Sequence, residues 1–183
     1  MHFKSIYLGI VGLALICLLA VGCLVSGTFV VVEDVEFDFT AQGGFYWWPV
    51  DLRGNSIWED HKNDIDDIDA LGFDFTVTNT SDRSSTLSFS LAPASGLADT
   101  ATSPSERPKT AVLAYGPLTL KSGETRHITY GESLSLIQNL DQIKNIVLTG
   151  RFDYFGTSTD GPVGVFQVRK GKIIVTISAS GTS

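Results

Sequence analysis

Five aspartates and a histidine lie within the ten-residue run 60–69. Carboxylate oxygens are the ligands that a hard cation such as Ca²⁺ prefers in proteins. The candidate ligands are the four aspartates in the later part of the run: Asp64, Asp66, Asp67 and Asp69. The run lacks the glycine and the ligand order of a helix–loop–helix calcium loop. It is therefore either a calcium site of another kind or a solvated acidic loop that leads into the next strand.

Aromatic side chains are concentrated between residues 43 and 58, and two roles fit them. Exposed Trp and Tyr rings in a row stack on the C–H faces of sugars, which would make a carbohydrate-binding platform. Alternatively, the rings close one end of the fold or rest at a membrane interface, where Trp is enriched. The centre of the cluster is the segment Phe45–Trp48. The candidate ligand-binding side chains are Tyr46, Trp47, Trp48 and Trp58.

The sequence offers little for catalysis or for nucleic-acid binding. The segment Gly131–Ser135 does not complete the G-x-S-x-G pattern of a serine nucleophile elbow, and glycine-rich phosphate loops are absent. The net charge is −7, and the densest group of basic residues is the short stretch 169–172. A protein that binds a phosphate backbone needs a larger basic surface. We therefore expect no enzymatic activity, no cofactor and no nucleic-acid partner.

The chain begins with a segment typical of an export signal. A lysine and a histidine precede a long apolar run, and no charged residue occurs from Ser5 to Val32. A short basic start followed by such a run is the pattern of a secretory signal peptide. The run leads into Leu19-Ala20-Val21-Gly22-Cys23. This pentapeptide resembles the lipobox of bacterial lipoproteins, in which the cysteine is lipidated before the signal is removed.

Two cysteines lie in this segment, and Cys23 is the one that fits the lipobox. The signal peptidase of the family requires a small residue before the cut. Gly22 provides that residue for Cys23, whereas the bulky Ile16 precedes Cys17. The resemblance therefore implies that residues 1–22 form a signal helix that is removed, and that Cys23 carries the lipid.

The resemblance also implies a location. Lipid on Cys23 would anchor the protein in a bacterial cell envelope, and Leu24 at the next position, in place of an aspartate, favours the outer membrane. Residues 23–28 would then form a short tether, and 29–183 the folded domain. Two alternatives remain open. One is a single-pass signal anchor, because 28 uncharged residues exceed the ~20 that span a bilayer as a helix. The other is an ordinary secreted protein.

Alternation of apolar and polar residues dominates the chain after the signal and predicts β-strands. Residues 71–77 alternate clearly, and a polar turn separates them from a second alternating stretch at 87–91. This arrangement predicts a hairpin. The dipeptide Lys170-Gly171 lies between the last two apolar stretches and predicts another tight hairpin.

One segment departs from the alternation. Its apolar residues recur at 137, 140, 143, 146 and 147, which predicts a single short helix over residues 134–147. Closely spaced strands with polar turns and one helix favour an all-β, immunoglobulin-like Greek-key β-sandwich. The stretch Phe73–Leu91 also resembles the β-sandwich of water-stress domains. Removal of residues 1–22 leaves one cysteine, so we expect the core to hold the fold without an internal disulfide.

Together these features predict a lipid-anchored cell-envelope protein whose non-catalytic sandwich serves structure or interaction with an envelope partner. The edges of its sheets could accept a strand from that partner. The alternative is a glycan- or calcium-binding module that uses the aromatics of Phe45–Trp48 or the acidic run Asp60–Asp69. Buried Trp rings and separated aspartates would speak against this alternative.

Overall fold

The computed structural model describes residues 25–35, 39–40, 45–94, 108–158 and 166–181. The signal segment 1–22 and Cys23 lie outside these ranges. The described residues form nine strands, one short 3₁₀ turn and three α-helices. Their bounds are β1 Val25–Val35, β2 Phe39–Thr40, β3 Phe45–Asp51, the 3₁₀ turn Leu52–Gly54, α1 Ser56–His61, β4 Ile65–Asn79, β5 Ser85–Pro93, β6 Val112–Leu120, β7 Thr125–Ile128, α2 Tyr130–Leu134, α3 Leu140–Val147, β8 Arg151–Ser158 and β9 Phe166–Gly181.

The strands form two antiparallel sheets that pack as a sandwich. The first sheet has the order β1-β9-β4-β7, with β2 pairing on β9, and the second has the order β3-β8-β5-β6. The expected all-β sandwich is therefore confirmed. Its strand order is not immunoglobulin-like, because an immunoglobulin sandwich does not place its first and last strands side by side in one sheet. In the observed order, the first strand pairs with the last in one sheet and β3 pairs with β8 in the other, which is the arrangement of a jelly roll with its two Greek keys.

An aromatic cluster fills the space between the two sheets. Phe75 of β4 packs edge-on against Phe89 of β5, with ring centroids 5.2 Å apart. Phe89 also stacks on Tyr154 of β8 at 5.2 Å and lies 5.9 Å from the ring of Tyr115 on β6. All four side chains are buried. Burial of these large apolar surfaces is the main driving force for closing the sandwich.

The two hairpins expected from the sequence are not formed. Strands β4 and β5 belong to different sheets, so the turn between them carries the chain across the sandwich. The final segment is one continuous strand, β9, rather than two. Its Lys170, at φ 51°, lies in a β-bulge between the pairs Asp74–Lys172 and Thr76–Arg169. The turn signal of Lys170-Gly171 thus marks a bulge within a strand.

The helix expected over residues 134–147 is broken into two. Helix α2 ends at Leu134 and α3 begins at Leu140. Between them, Ile137 forms an isolated β-bridge with Tyr115 of β6. Asn139 then adopts a left-handed conformation, with φ 53°, immediately before α3. A continuous helix would require right-handed backbone at both positions, so pairing with β6 overrides the helical spacing.

Helix α3 closes one end of the sandwich. Its apolar stripe, Ile143, Ile146 and Val147, is buried, as the spacing predicts. The helix contacts β4 of the first sheet and β5, β6 and β8 of the second. Lys144 on its flank donates to Asp67 of β4 at 2.9 Å. The stripe therefore plugs the gap between the sheets.

No helix within the described ranges is long and apolar enough to span a membrane.

The folded domain begins earlier than the sequence suggests. Strand β1 starts at Val25 and pairs with β9 along its whole length, so that Val25 lies opposite Gly181. Residues 25–28, which were assigned to the tether, are therefore part of the first sheet. The lipid attachment predicted at Cys23 would leave only one residue between the cysteine and the strand.

Side chains and loops cover parts of two sheet edges. On β1, the side-chain amide of Asn55 donates to the backbone carbonyl of Val32 at 3.0 Å. On β6, the backbone N–H of Gln138 donates to the carbonyl of Ala114 at 2.9 Å, and Asn139 Nδ2 donates to the carbonyl of Leu113 at 3.0 Å. Capped edges resist pairing with foreign strands. The expected addition of a partner strand therefore has little support at these positions.

Candidate functional site

The predicted aromatic platform does not form a row of exposed rings. Trp47 is 9% exposed and packs with Phe155 and Ala92. Trp58 is 3% exposed. Tyr46 is half-buried, and burial raises the pKa of its hydroxyl. Trp48 is 37% exposed, and its ring stacks on Tyr46 at a centroid distance of 6.5 Å. Only one of the four rings therefore offers a large face to solvent.

The burial of Trp58 follows from its position in α1. The indole lies directly over Gly150, where an added Cβ would be 3.0 Å from Trp58 Nε1. The carbonyl of Gly150 in turn accepts a hydrogen bond from the backbone N–H of Leu52 at 2.9 Å. Trp58 is thus a packing residue that holds α1 against the chain before β8.

The acidic run is divided between a turn and a strand. Asp64 lies in the turn between α1 and β4, where its backbone carbonyl accepts from the N–H of Ser180 at 3.0 Å. Asp66, Asp67 and Asp69 lie in β4, and all three are exposed. The described residues contain no group of three His, Cys, Asp or Glu side chains placed to hold a metal ion. The structure does not bring these four carboxylates together as a calcium site.

Asp67 already has an ionic partner. Lys144 Nζ donates to its Oδ2 at 2.9 Å, and the backbone N–H of Ile68 donates to its Oδ1 at 2.8 Å. These interactions, with the lysine hydrogen bond the larger, hold the pKa of the Asp67 carboxyl below its usual value. Asp67 therefore connects β4 to α3.

Cys23 lies outside the described residues, so its lipidation remains a prediction.

A cleft that the sequence analysis did not identify lies between β6, β7 and the α2–α3 linker. Its volume is about 390 Å³, within the range of small-ligand sites. It is lined by residues 115–118 of β6, Arg126 of β7 and residues 135–138 of the linker. We call it the β6–β7 cleft. It lies where the edge strands of the two sheets approach each other.

A β-bulge in β6 shapes the wall of the cleft. Leu118 pairs with Leu87 and Tyr115 with Phe89, so two residues of β6 oppose one residue of β5. Gly116 in the bulge has φ 109°, and an added Cβ would lie 3.0 Å from the carbonyl oxygen of Leu87. Glycine is therefore required both for the backbone angle and for the close approach. Bulges are frequent next to binding sites because they redirect side chains.

Polar groups from three elements surround the cleft. Arg126 forms an ion pair with Glu132 of α2. The side-chain amide of Gln138 donates to the carbonyl of Gly116. Ser135 Oγ donates to the backbone carbonyl of Glu132 at 2.7 Å. The bulge and the linker are thus fixed to each other around the cleft.

Tyr115 contributes a buried hydroxyl to this region. Within the described part of the chain, that hydroxyl makes no hydrogen bond. Burial raises the pKa of Tyr115 to about 12, with a further increase from Glu132 and an opposing effect of Arg126. The hydroxyl is a hydrogen-bond donor whose need for an acceptor is not met.

The Ser135 hydroxyl is not arranged as a serine nucleophile. A serine nucleophile needs a hydrogen-bonded general base, whereas the Ser135 hydroxyl donates to a backbone carbonyl.

The cleft is built from three segments that are distant in sequence. The one local signal was the dipeptide Gly116-Pro117, which punctuates a strand and indicates a bulge or turn.

Comparisons with known proteins give no family. No protein-family model and no curated protein matches the chain. A solved structure of Desmodium yellow mottle tymovirus matches 86% of this chain and 89% of its own, with 10% identity and a TM-score of 0.35. A structure of infectious bursal disease virus, Gx strain, matches 83% of this chain and 32% of its own, with 14% identity and a TM-score of 0.31. TM-scores of 0.35 and 0.31 support no conclusion about the function of this chain.

Proposed function

We propose that the chain is a lipid-anchored protein of the bacterial cell envelope whose jelly-roll sandwich is a non-catalytic interaction module. The observation that carries the proposal is the segment Leu19-Ala20-Val21-Gly22-Cys23 at the end of an uncharged run. Its resemblance to a lipobox makes Cys23 the lipidated first residue of the mature protein and residues 1–22 its signal. Leu24 favours the outer membrane as the destination.

The start of β1 at Val25 supports a close attachment of the sandwich to the membrane. An extended residue spans at most ~3.6 Å, so the two residues from Cys23 to Val25 reach about 7 Å. The end of the sandwich that carries the start of β1 and the end of β9 therefore faces the bilayer. Partners meet the opposite end and the sides. Two or more acyl chains are enough for stable attachment.

The described titratable groups support a non-catalytic role. His127 Nε2 lies 2.9 Å from Asp74 Oδ1, a pairing that acid–base chemistry often uses. The His127 side chain is 56% exposed, whereas catalytic acid–base groups work in sites that exclude water. In the cleft, Arg126 is neutralised by Glu132. Both side chains are open to solvent.

The proposal is tested by measuring the intact mass of the full chain from the membrane fraction, for the wild type and for Cys23→Ala. We expect the wild type to lack residues 1–22 and to carry acyl chains. We expect Cys23→Ala to lose both the acyl mass and the processing at this site. Cys17→Ala is the matched control and should be acylated like the wild type. A wild-type chain that keeps residues 1–22 and stays embedded would overturn the proposal in favour of a signal anchor.

A further inference from the structure

The β6–β7 cleft carries no uncompensated charge. Arg126 is the one ionisable residue of its described lining that is charged at neutral pH, and Glu132 neutralises it. A site for a free anion would present a guanidinium with its charge available, as in bidentate recognition of carboxylates. Here the carboxylate of Glu132 would repel an approaching anion at short range. The electrostatics of the cleft therefore favour a neutral ligand.

The cleft offers hydrogen-bond donors and acceptors side by side. A guanidinium has five N–H donors, and the ion pair with Glu132 leaves several for a ligand. Gln138 uses its amide N–H on the carbonyl of Gly116, which leaves its amide oxygen as an acceptor. A ligand that matches this set must both donate and accept.

The rest of the lining is apolar. Pro117 and Leu118 lie on the β6 side, and Leu136 and Ile137 lie on the linker side. Leu136 is 40% exposed. An apolar wall facing such polar groups matches an amphipathic ring that has C–H faces and hydroxyl groups at its rim.

We propose that the β6–β7 cleft is a binding site for a neutral sugar unit. The hydroxyl groups of a sugar donate and accept at once, as the N–H donors of Arg126 and the amide oxygen of Gln138 require. Its C–H faces contact Pro117 and Leu136. The site differs from the aromatic platform expected from the sequence. It would add glycan binding to the interaction role proposed for the sandwich.

Gln138 gives the proposal its sharpest test. Its side chain is exposed on the linker, and its amide oxygen is the acceptor that the cleft offers to a sugar hydroxyl. We therefore expect Gln138→Ala to bind sugar about five-fold more weakly.

The experiment is saturation-transfer NMR on the full chain, solubilised in a detergent that contains no sugar headgroup. The probes are glucose, galactose, mannose and N-acetylglucosamine, each free in solution. We expect at least one to bind, and we expect Gln138→Ala and Arg126→Gln to weaken that binding. Arg83→Gln is the matched control, because Arg83 forms an exposed ion pair with Asp82. Absence of binding to every probe would overturn the proposal, as would binding that neither cleft variant changes.

Glu132→Gln distinguishes a neutral ligand from an anion. This change leaves Arg126 with an uncompensated charge, so an anion such as acetate or glucuronate would bind more tightly. A neutral sugar would bind with unchanged or lower affinity. If the anions bind the wild type and gain affinity in Glu132→Gln while the neutral sugars give no signal, the cleft is an anion site and the proposal is wrong. The proposed lipidation of Cys23 does not depend on either outcome.

Discussion

Asn79 is a fully buried asparagine at the point where the chain leaves the first sheet. Its side-chain amide donates to the carbonyls of Arg83 at 2.8 Å and Leu120 at 3.0 Å. Its side-chain oxygen accepts from the backbone N–H of Ser81 at 3.0 Å and from the Ser81 hydroxyl at 2.6 Å. One side-chain amide therefore connects the crossing turn to the backbone of β6.

We expect Asn79→Ala to lower the free energy of unfolding by about 3 kcal/mol, because it removes four hydrogen bonds and leaves the backbone N–H of Ser81 without its side-chain acceptor. Urea denaturation of the solubilised full chain measures the loss. Asn145→Ala is the matched control, since Asn145 is exposed on α3. Similar losses in the two variants would show that Asn79 does not hold the crossing.

The asparagine of the crossing also explains why the expected β4–β5 hairpin was wrong. The polar stretch after Val77 does contain a turn, and the alternation over 71–77 does lie in a strand. Alternation reports which residues point to a core, but it does not report which sheet the next strand joins. Four side-chain hydrogen bonds of Asn79 direct the chain across the sandwich, and that geometry has no periodic signature.

The bulge in β9 is a second feature that the local sequence pattern does not predict, here within a single strand. A residue at positive φ followed by glycine is a common signal for a tight turn. In this chain, Asp34 and Asp74 lie on strands that flank β9, opposite Lys172 on both sides. Long-range pairing with two neighbours keeps β9 straight past Lys170. The local signal was correct about the backbone angle and wrong about the reversal of the chain.

Lys170 should be a position where glycine stabilises a strand. A non-glycine residue in the left-handed region is strained by about 1 kcal/mol or more, and Lys170 is exposed and loses little packing. We expect Lys170→Gly to raise the free energy of unfolding by about 1 kcal/mol. Lys172→Gly, two residues on in the same strand, should lower it by a similar amount. Denaturant midpoints of the two variants should therefore shift in opposite directions, and a shared sign would contradict this account of the bulge.

The contact between α3 and β4 predicts a pH dependence. Lys144 holds the pKa of Asp67 below its usual value of 3.8. A carboxyl with a lowered pKa in the folded state stabilises the fold above the unfolded pKa, and this contribution is lost as the pH falls through the folded value. We expect NMR titration to find the Asp67 pKa below 3.8 in the wild type and closer to it in Lys144→Gln. An unchanged pKa in the variant would show that the ion pair does not persist in solution.

The candidate site was hidden from sequence reasoning because different elements build it. Arg126, Tyr115 and Gln138 come from β7, β6 and the α2–α3 linker. They meet because Ile137 pairs with Tyr115, which also breaks the expected helix. The aromatic and acidic runs were visible because their members are adjacent in sequence. The sandwich separates most of these members, because adjacent strand residues point to opposite faces.

At the scale of the whole molecule, the sheets cover themselves where a partner strand would add. Asn55 binds the edge carbonyl of Val32, and the α2–α3 linker lies along β6. Pro49 lies in β3, the edge strand of the second sheet, and lacks the N–H that a neighbouring strand would need. If the proposed function is correct, an envelope partner would contact side chains and not these edges, and the same capping opposes edge-to-edge pairing between copies of the chain.

The pairing of β1 with β9 has a mechanical consequence. Val25 and Gly181 lie opposite each other at one end of an antiparallel ladder whose hydrogen bonds run across the strands. Tension applied between these two residues would load the rungs one after another, as in opening a zipper, and would peel β1 away at low force. A load that reaches the anchor through the side of the sandwich would instead be shared among many rungs. A protein held by lipid at Cys23 would thus withstand pulling on its flank far better than pulling on its last strand.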